Sequence, residues 1–319
     1  MTPQKWTLSD IPDQDGRCAV VTGANSGIGA IAARELARAG AHVILACRDT
    51  SKGDRVAEEI RGALAGARVE VAALDLADLE SVRAFVNDLA ADTTGIDLLV
   101  NNAGLMAPPH RTTAQGFELQ LGTNYLGHFA LTGLLLDRLL SRPQPRVVTL
   151  SSNAHKLGKI DFDDLQSERG YNRWSAYNQS KLACLVFALE LDRRARAAGA
   201  ALRSLAAHPG YSATNLQSAA APLTDRLIMG VANRVVAQSA EHGALPTLRA
   251  ATDPELEGGT YVGPDGWHEF RGSPVVVRPL DRALDLETAE RLWEVSEELT
   301  GVRFAFRETA VPWQAPSVR

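Results

Sequence analysis

Short runs of apolar, β-branched residues recur along this chain, and a stretch with helical character follows nearly every one. Several runs are continuously apolar, which is typical of parallel strands that are buried on both faces of a sheet. Strands and helices in alternation predict a doubly wound α/β fold with a parallel sheet of about seven strands. The predicted strands are CAVVT (18–22), HVILAC (42–47), VEVAAL (69–74), DLLVNN (97–102), RVVTLS (146–151), ALRSLAA (201–207) and TYVG (260–263).

Glycine marks the ends of the intervening helices. Gly40, Gly66, Gly95 and Gly199 each stand just before the next predicted strand. Glycine supplies the left-handed residue that ends a helix at low conformational cost. In such a sheet, ligands bind beyond the carboxyl ends of the strands, at the point where the strand order reverses. The residues that directly follow each strand are therefore the candidate functional residues.

The length of the chain raises the question of a second domain. The chain has 319 residues, whereas a single α/β unit often has roughly 250. The predicted core occupies about 16–263 and leaves 264–319 as a C-terminal extension, in which LETAERLWEVSEELT predicts an amphipathic helix that stops at Gly301. A unit of about 55 residues is marginal by itself. We therefore expect one domain over 1–319, with the extension covering the substrate cleft or forming a subunit contact in a homodimer or tetramer.

Composition excludes several classes of function. A net charge of −5 provides no basic surface for nucleic acid or for an anionic membrane. No apolar run is long enough to span a bilayer, and the N-terminus lacks the apolar core of a secretory signal. Cys18, Cys47 and Cys184 lie apart in apolar runs, which predicts buried, reduced thiols in a cytoplasmic protein without a metal site. The excess of arginine over lysine and the many alanines suggest a GC-rich, bacterial genome.

The segment TGANSGIG (22–29) follows the first strand and opens a helix predicted over 30–39. Its glycines let the backbone turn tightly and approach a pyrophosphate, which binds to the amides at the N-terminus of the helix. Because this loop lies between the first strand and a helix, it predicts a dinucleotide site. The predicted contacts are Gly23, Asn25, Ser26, Gly27, Ile28 and Gly29.

Cys47-Arg48-Asp49 follows the second strand, where the residue that contacts the adenosine ribose is expected. Counting from the glycines would allow Asp49, and an acidic residue there is usual for NAD. Arg48, however, is the first polar side chain beyond the apolar run, and Asp49 is better explained as a helix cap. An arginine suits the 2′-phosphate of NADP. We therefore predict NADP, with a merely solvated arginine as the alternative.

Two further strand ends supply candidate cofactor contacts. Asp75 and Leu76 follow the third strand, where Asp75 either caps a helix or contacts the adenine. Asn102, Ala103 and Gly104 follow the fourth strand, and their small size leaves room for a flat ligand against the backbone.

Tyr177 and Lys181 lie four residues apart in a long predicted helix, after a fifth strand that runs into Ser151-Ser152. A pair with this spacing shares one face of the helix. An ammonium about 5 Å away, at an effective dielectric constant of about 20, stabilises a phenolate by about 3 kcal/mol. That stabilisation brings a phenol within reach of general acid–base catalysis. Such a pair is common by itself and gains weight from the motifs around it.

Taken together and in order, the motifs resemble those of the short-chain dehydrogenase/reductases over about 16–263. They are TGANSGIG, NNAG (101–104), TNYLGHF with Asn124, Ser152, Tyr177-x-x-x-Lys181 and HPGYSAT (208–214). The segments ILACRD, NYLGHF, SSNAHKLG and HPG are similar to the subgroup of retinol dehydrogenases and protochlorophyllide-reductase-like proteins.

The resemblance implies a role for each catalytic candidate. Ser152 would polarise a substrate carbonyl, and Tyr177 would donate a proton to its oxygen. Lys181 would hold the nicotinamide ribose and support the tyrosine, and Asn124 would anchor a water that relays protons. Tyr177, Lys181, Pro209, Gly210 and Thr214 would also contact the cofactor.

The resemblance implies an NADPH-dependent reductase of a ketone or aldehyde, which would oxidise an alcohol in the reverse direction. Reduction of a carbon–carbon double bond is one alternative. A non-catalytic NADP-binding sensor on the same fold is another.

Three features depart from the pattern of the family. Ser152 and Tyr177 are 25 residues apart, and the extra residues predict a loop beside the substrate. Tyr125 stands where the subgroup usually has histidine, and we interpret it as a packing residue. No membrane anchor is recognisable, which weakens the transfer of retinoid specificity.

The substrate itself would be determined by three loops, 105–116, 153–176 and 211–238, and by the extension. The segment 211–238 is either an ordinary core helix or a lid, and its apolar face would then indicate a lipophilic carbonyl compound. His128, His155 and His208 lack the spacing of metal ligands and are interpreted as packing or loop residues.

Overall fold

A parallel sheet forms the centre of the computed structural model, which describes residues 5–89, 95–210 and 239–306. These residues form one eight-stranded sheet in the order β3-β2-β1-β4-β5-β6-β7-β8. All neighbouring strands are parallel except β7 and β8. The strands are β1 Cys18–Thr22, β2 His42–Cys47, β3 Val69–Ala73, β4 Leu98–Asn101, β5 Arg146–Leu150, β6 Arg203–Ala207, β7 Tyr261–Pro264 and β8 Pro274–Val276.

Helices cover both faces of this sheet, as the continuously apolar strands require. They are α1 Gly27–Arg38, α2 Thr50–Ala63, α3 Leu79–Asp88, α4 Leu119–Leu121, a π-helix at Gly122–Leu126, α5 Gly127–Leu134, α6 Leu136–Leu140, α7 Arg173–Ala197, α8 Ala240–Thr252 and α9 Leu286–Thr300. Within the described residues, every helix is too short or too polar to cross a membrane.

Each face of the sheet has its own apolar core. On one face α1, α2 and α8 bury residues such as Leu36, Ile60 and Leu248. On the other face, Phe85 of α3 and Phe187 of α7 belong to a larger core. The two layers confirm the doubly wound α/β fold that the strand and helix pattern predicts.

The strand order reverses at β1, which lies between β2 and β4. Ala19 is paired with Val43 on one side and with Leu98 on the other. The carboxyl ends of β1, β4 and β5 therefore lie side by side, at the switch point where a ligand is expected. The seven predicted strands are all present, and their ends differ from the predicted bounds by two residues at most.

The prediction that the first helix covers 30–39 is wrong at both ends. Helix α1 begins at Gly27 and ends at Arg38. Gly27 and Gly29, which were assigned to the preceding loop, lie in the first turn of the helix, and Gly29 packs closely against the Gly23 carbonyl.

The eighth strand is absent from the sequence prediction. Val262 of β7 is paired with Val276 of β8 in an antiparallel ladder. A strand of three residues contains no period-two pattern that could reveal it. Its hairpin, 265–273, brings residues of the C-terminal extension to the carboxyl edge of the sheet, because β7 ends at Pro264 on that edge.

Helix α9 confirms the predicted amphipathic helix, and Gly301 ends it in the left-handed conformation with φ 65°. The helix packs on α5 and α7. The ring of Trp293 lies 5.2 Å from Phe129, 5.9 Å from Phe187 and 4.5 Å from Phe304 between ring centres. The described part of the extension thus shares an aromatic core with the helices of the sheet.

The three cysteines are free thiols. Cys47 and Cys184 are buried as predicted, whereas Cys18 is half-buried at the start of β1. Burial raises the pKa of Cys18 and of Cys47 to about 11, so both remain protonated at neutral pH.

Candidate active site

Thr22, the last residue of β1, connects the glycine loop to the end of β4. Its Oγ1 accepts hydrogen bonds from the backbone amides of Asn102 and Ala103, both at 2.9 Å. The Asn102 side chain donates in return to the Thr22 carbonyl at 2.8 Å. The two backbone segments that are predicted to bind the dinucleotide are therefore held as one unit.

The glycine loop has the shape of a phosphate cradle. Gly23 has φ 66°, and a Cβ atom on Gly29 would lie 2.5 Å from the Gly23 carbonyl oxygen. Ser26 precedes helix α1 and makes no side-chain capping bond. Backbone amides at the N-terminus of this helix consequently remain available to an anion. Ile28 is buried on the core side of the same turn.

Arg48 lies at the carboxyl end of the sheet with 75% of its side chain exposed, and its Nη1 is 3.9 Å from Asp75 Oδ2. Asp49 caps helix α2 by accepting a hydrogen bond from the Lys52 amide at 3.1 Å, as the sequence predicts. Asn25 Nδ2 lies 3.5 Å from the Asp49 carbonyl oxygen. Arg48 therefore lies near the glycine loop, and most of its side chain is exposed.

One of the two explanations for Asp75 is wrong. Helix α3 is capped by Asp78, which accepts from the Glu80 amide at 3.0 Å. Asp75 instead accepts from the Ala77 amide at 2.9 Å and stabilises the turn before the helix. The contact with adenine stays a prediction. Leu76 is buried, and its backbone carbonyl and Cβ pack against Gly127.

The catalytic candidates come from elements that pack against one another, because helix α7 contacts both β5 and the π-helix. Lys181 is 6% exposed, and its Nζ donates to the carbonyl of Leu150, the last residue of β5, at 3.1 Å. Tyr177 lies one turn earlier on the same face of α7. Ser152 follows β5 by two residues, and its Oγ accepts from the Ala154 amide at 3.2 Å.

Asn124 joins this group from the π-helix. Its Nδ2 donates to Ser180 Oγ at 3.0 Å, next to Lys181 in the chain. A Cβ atom on Gly104 would lie 3.2 Å from Asn124 Oδ1 and 3.4 Å from Lys181 Nζ. The Asn124 amide and the Lys181 ammonium therefore face the same small space beside the end of β4.

His128 fixes the backbone of Asn124. Its Nδ1 lies 2.9 Å from the Asn124 carbonyl oxygen and its Nε2 lies 2.9 Å from Thr22 Oγ1. Since a carbonyl only accepts, Nδ1 carries the proton and Nε2 accepts from the threonine hydroxyl. Burial lowers the pKa of His128 to about 4, so the ring is neutral.

The Asn124 carbonyl has a second donor, the Cys184 thiol at 3.1 Å. Both donors bind the backbone oxygen, whereas the side-chain Oδ1 of Asn124 lies beside Gly104 with Lys181 Nζ. The sequence interpretation treated His128 as a packing or loop residue and Cys184 as a buried, reduced thiol, and it missed this role. The signal was available in the spacing, because His128 lies one helical turn after Asn124.

Two other buried histidines lie near the site, His155 in contact with Ser152 and His208 in contact with the β7–β8 hairpin. His155 Nδ1 lies 2.6 Å from the Ser152 carbonyl oxygen. His208 accepts from the Gly210 amide at Nδ1, and its Nε2 lies 3.1 Å from Glu269 Oε2. The hydrogen bond with His208 and the ion pair with Lys156 lower the pKa of Glu269 to about 2. The hairpin itself was not predicted.

Pro209 and Gly210 lie at the carboxyl end of β6, where the sequence predicts them. Gly210 has φ 66°, and a Cβ atom there would lie 2.5 Å from the carbonyl oxygen of Phe270 in the hairpin. Thr214 and the whole segment 211–238 lie outside the described residues.

The chain is similar to known proteins over most of its length. A sequence model of the short chain dehydrogenase family matches residues 17–222. Human retinol dehydrogenase 13 is 41% identical over 310 residues, which cover 95% of this chain and 87% of the relative. Human retinol dehydrogenase 12 is 43% identical over 291 residues, which cover 91% of this chain and 88% of the relative.

Two solved structures are similar over most of the fold. An uncharacterised protein from Mycobacterium paratuberculosis is 47% identical with a TM-score of 0.79, covering 95% of this chain and all of the other. A structure described as an NAD(P)-dependent gluconate 5-dehydrogenase from Beutenbergia cavernae, with bound NADP at low occupancy, is 30% identical with a TM-score of 0.60. The matched region covers 76% of this chain and 91% of the other chain.

Proposed function

This chain belongs to the short-chain dehydrogenase family, in its retinol-dehydrogenase-like subgroup, and on that premise we propose that it is an NADPH-dependent reductase of ketones or aldehydes. In the reverse direction it would oxidise the corresponding alcohol. The observation that carries the proposal is the position of Lys181, which bonds to the end of β5 two residues before Ser152 and lies with Asn124 Oδ1 beside Gly104. Tyr177 precedes it by one turn of α7.

The residues at the cradle fit a dinucleotide. Gly23, Gly29 and the uncapped start of α1 would accommodate a pyrophosphate, and the absence of a side chain at Gly104 would let a flat ring approach the backbone there. Arg48 would bind the 2′-phosphate by charge-assisted hydrogen bonds. When bound, NADPH supplies the hydride for the reduction.

Residues of the protein would polarise and protonate the carbonyl oxygen of the substrate. Ser152 donates a hydrogen bond that polarises the carbonyl, and Tyr177 transfers its proton to the oxygen as negative charge develops there. The Lys181 ammonium, held by the Leu150 carbonyl, stabilises the phenolate that remains. Asn124 Oδ1 faces Lys181 across Gly104 and would hold the water that returns a proton toward the tyrosine.

We propose a lipophilic substrate. Two relatives are named retinol dehydrogenases. Leu157, on the turn after Ser152, is 79% exposed, and Trp267, on the hairpin beside it, is 72% exposed. Asn153 ties this turn to the hairpin by donating to the carbonyls of His268 and Glu269, both at 3.1 Å. Exposed apolar side chains grouped near a site favour an apolar ligand.

A spectrophotometric assay of NADPH oxidation tests the proposed reaction. The panel contains matched saturated aldehydes, ketones and α,β-unsaturated ketones of increasing chain length. We expect consumption with the carbonyl compounds and better kcat/KM for the longer ones. Consumption with the unsaturated ketones alone, giving the saturated ketone, would instead identify a carbon–carbon double-bond reductase. Cofactor binding without any turnover would identify a sensor.

Replacing Arg48 with Asp tests the cofactor preference. A carboxylate at this position would accept hydrogen bonds from a ribose hydroxyl and repel the 2′-phosphate. We expect the ratio of kcat/KM for NADPH to that for NADH to fall roughly 10- to 100-fold, since hydrogen bonds to a charged group are involved. Steady-state kinetics with both cofactors measure this ratio.

The matched control is Arg68→Asp, which makes the same change of charge. Arg68 directly precedes β3, so it lies at the amino end of the strands, whereas Arg48 lies at their carboxyl end. This variant should keep the wild-type ratio. An unchanged ratio in Arg48→Asp would mean that Arg48 does not contact the phosphate.

A further inference from the structure

The segment Leu105–Pro108 continues from the end of β4 past the catalytic candidates. The Asn124 side chain bonds to both backbone groups of its first residue. The Leu105 amide donates to Asn124 Oδ1 at 2.8 Å, and Asn124 Nδ2 donates to the Leu105 carbonyl at 3.0 Å. The Asn124 side chain thus pairs with Leu105 as a neighbouring strand would. The start of the segment is therefore fixed by a residue of the active site.

Gln120 and Tyr171 hold the far end of the same segment. The Ala107 amide donates to Gln120 Oε1 at 2.8 Å, and the buried Gln120 donates from Nε2 to the Tyr171 hydroxyl at 3.0 Å. The Tyr171 hydroxyl donates in turn to the Pro108 carbonyl at 3.0 Å. We refer to these three hydrogen bonds as the Gln120–Tyr171 latch.

The latch is chemically consistent. Burial raises the pKa of the Tyr171 phenol to about 12, so the hydroxyl keeps the proton that it donates to Pro108. Gln120 uses its oxygen as an acceptor and both of its amide hydrogens as donors, the second to the Arg173 carbonyl at 2.8 Å. Every polar group in the latch has a partner.

The backbone at Ala107, which the latch holds, is in a strained conformation. Ala107 is buried and has φ 50°, in the left-handed region that residues with a Cβ atom rarely adopt. Such a conformation persists only where the surroundings impose it, and it is concentrated at binding sites. The latch provides that constraint at Ala107 and at the following residue.

The latch also connects the segment to both catalytic helices. Gln120 lies four residues before Asn124, and Arg173 is the first residue of α7, four before Tyr177. Tyr171 comes from the loop 153–176, the extra length between Ser152 and Tyr177. That loop is therefore bonded, through Tyr171, to a segment that directly follows Gly104.

We propose that Tyr171 is a positioning residue which, through Gln120, holds Leu105–Pro108 as a fixed wall of the substrate cleft and so determines which carbonyl compounds fit. The inference rests on the reductase activity proposed above. Leu105 and Met106 are half-buried in this wall and would contact the apolar part of the ketone or aldehyde.

Two variants break the latch. Tyr171→Phe removes the hydroxyl and keeps the ring, which lies 4.7 Å from His110 between ring centres. Gln120→Met preserves the length of the side chain and removes all three of its side-chain hydrogen bonds. The control is Tyr125→Phe, which also removes a buried tyrosine hydroxyl, one bonded to Ser296 Oγ at 2.6 Å.

We expect KM for the best carbonyl substrate of the panel to rise about five- to tenfold in both variants, as for the loss of one or two buried hydrogen bonds. The KM for NADPH should stay within twofold. The differences in kcat/KM between substrates of different chain length should become smaller, because a loosened wall no longer excludes poorly fitting substrates. In hydrogen exchange, amides in residues 105–110 should exchange about tenfold faster. Tyr125→Phe should match the wild type in all four measurements.

The outcomes separate the two proposals. Faster exchange with an unchanged substrate KM overturns the role of the latch in specificity, and unchanged exchange in both variants overturns the latch itself. A rise in both KM values would mean a general loss of structure rather than positioning. Wild-type protein that reduces no member of the panel contradicts the proposed reductase, while the exchange measurement still tests the latch.

Discussion

Tyr177→Phe is expected to reduce kcat by about 10²- to 10⁴-fold, the usual contribution of a general acid. The substitution removes the hydroxyl that delivers the proton and leaves the ring in its place on α7. Lys181 keeps its bond to the Leu150 carbonyl at 3.1 Å, since that contact does not involve the tyrosine. Steady-state kinetics with the best carbonyl substrate of the panel measure the loss.

Binding of NADPH separates a chemical effect from a structural one. The dissociation constant of Tyr177→Phe, measured by quenching of protein fluorescence, should stay within a few-fold of the wild type. Tyr171→Phe is the informative comparison, because it removes a hydroxyl near the site and is expected to change KM rather than kcat. Retained turnover in Tyr177→Phe would contradict its assignment as the acid.

Trp293→Ala is expected to lower the free energy of unfolding by about 3–5 kcal/mol, the usual cost of truncating a buried aromatic residue. Trp293 is 2% exposed and lies among Phe129, Phe187 and Phe304. Arg194 stacks on its outer side, with Cζ 4.4 Å from the ring centre. Urea denaturation followed by circular dichroism measures the change.

The matched control is Trp267→Ala on the exposed hairpin, which should change stability by less than about 0.5 kcal/mol. We propose that the chain is one domain, and the denaturation of Trp293→Ala tests this as well. A single transition shifted to lower urea supports one cooperative unit. An early transition of the extension, followed by an unshifted transition of the sheet, would indicate that residues 264–306 unfold independently.

Much of the fold could be predicted because it depends on local pattern. Parallel strands that are buried on both faces leave continuous apolar runs, and these reveal the seven strands that were predicted. The capping role of Asp49 could also be predicted, because a cap needs only the first turn of its own helix. Strand β8 could not, because three residues at the edge of a sheet have no periodicity of their own.

Some residues of the candidate site could likewise be predicted from local motifs, and others could not. Motif order indicated Ser152, Tyr177, Lys181 and Asn124, and Asp75 was left between two explanations. The turn at Ala77 and the cap at Asp78 decide against a helix-capping role for Asp75, and neither is recognisable from its residue type alone. The sequence interpretation also treated the loop 153–176 only as extra length beside the substrate.

The sequence by itself determined the α/β class, the strands of the parallel sheet and the family, since periodicity and motif spacing are properties of short segments. The tertiary structure decided how the site is held. The bond between Thr22 and His128 joins residues 106 positions apart, and that between Gln120 and Tyr171 spans 51. The direction of such a bond depends on which atoms folding brings within about 3 Å, and no local pattern encodes that distance.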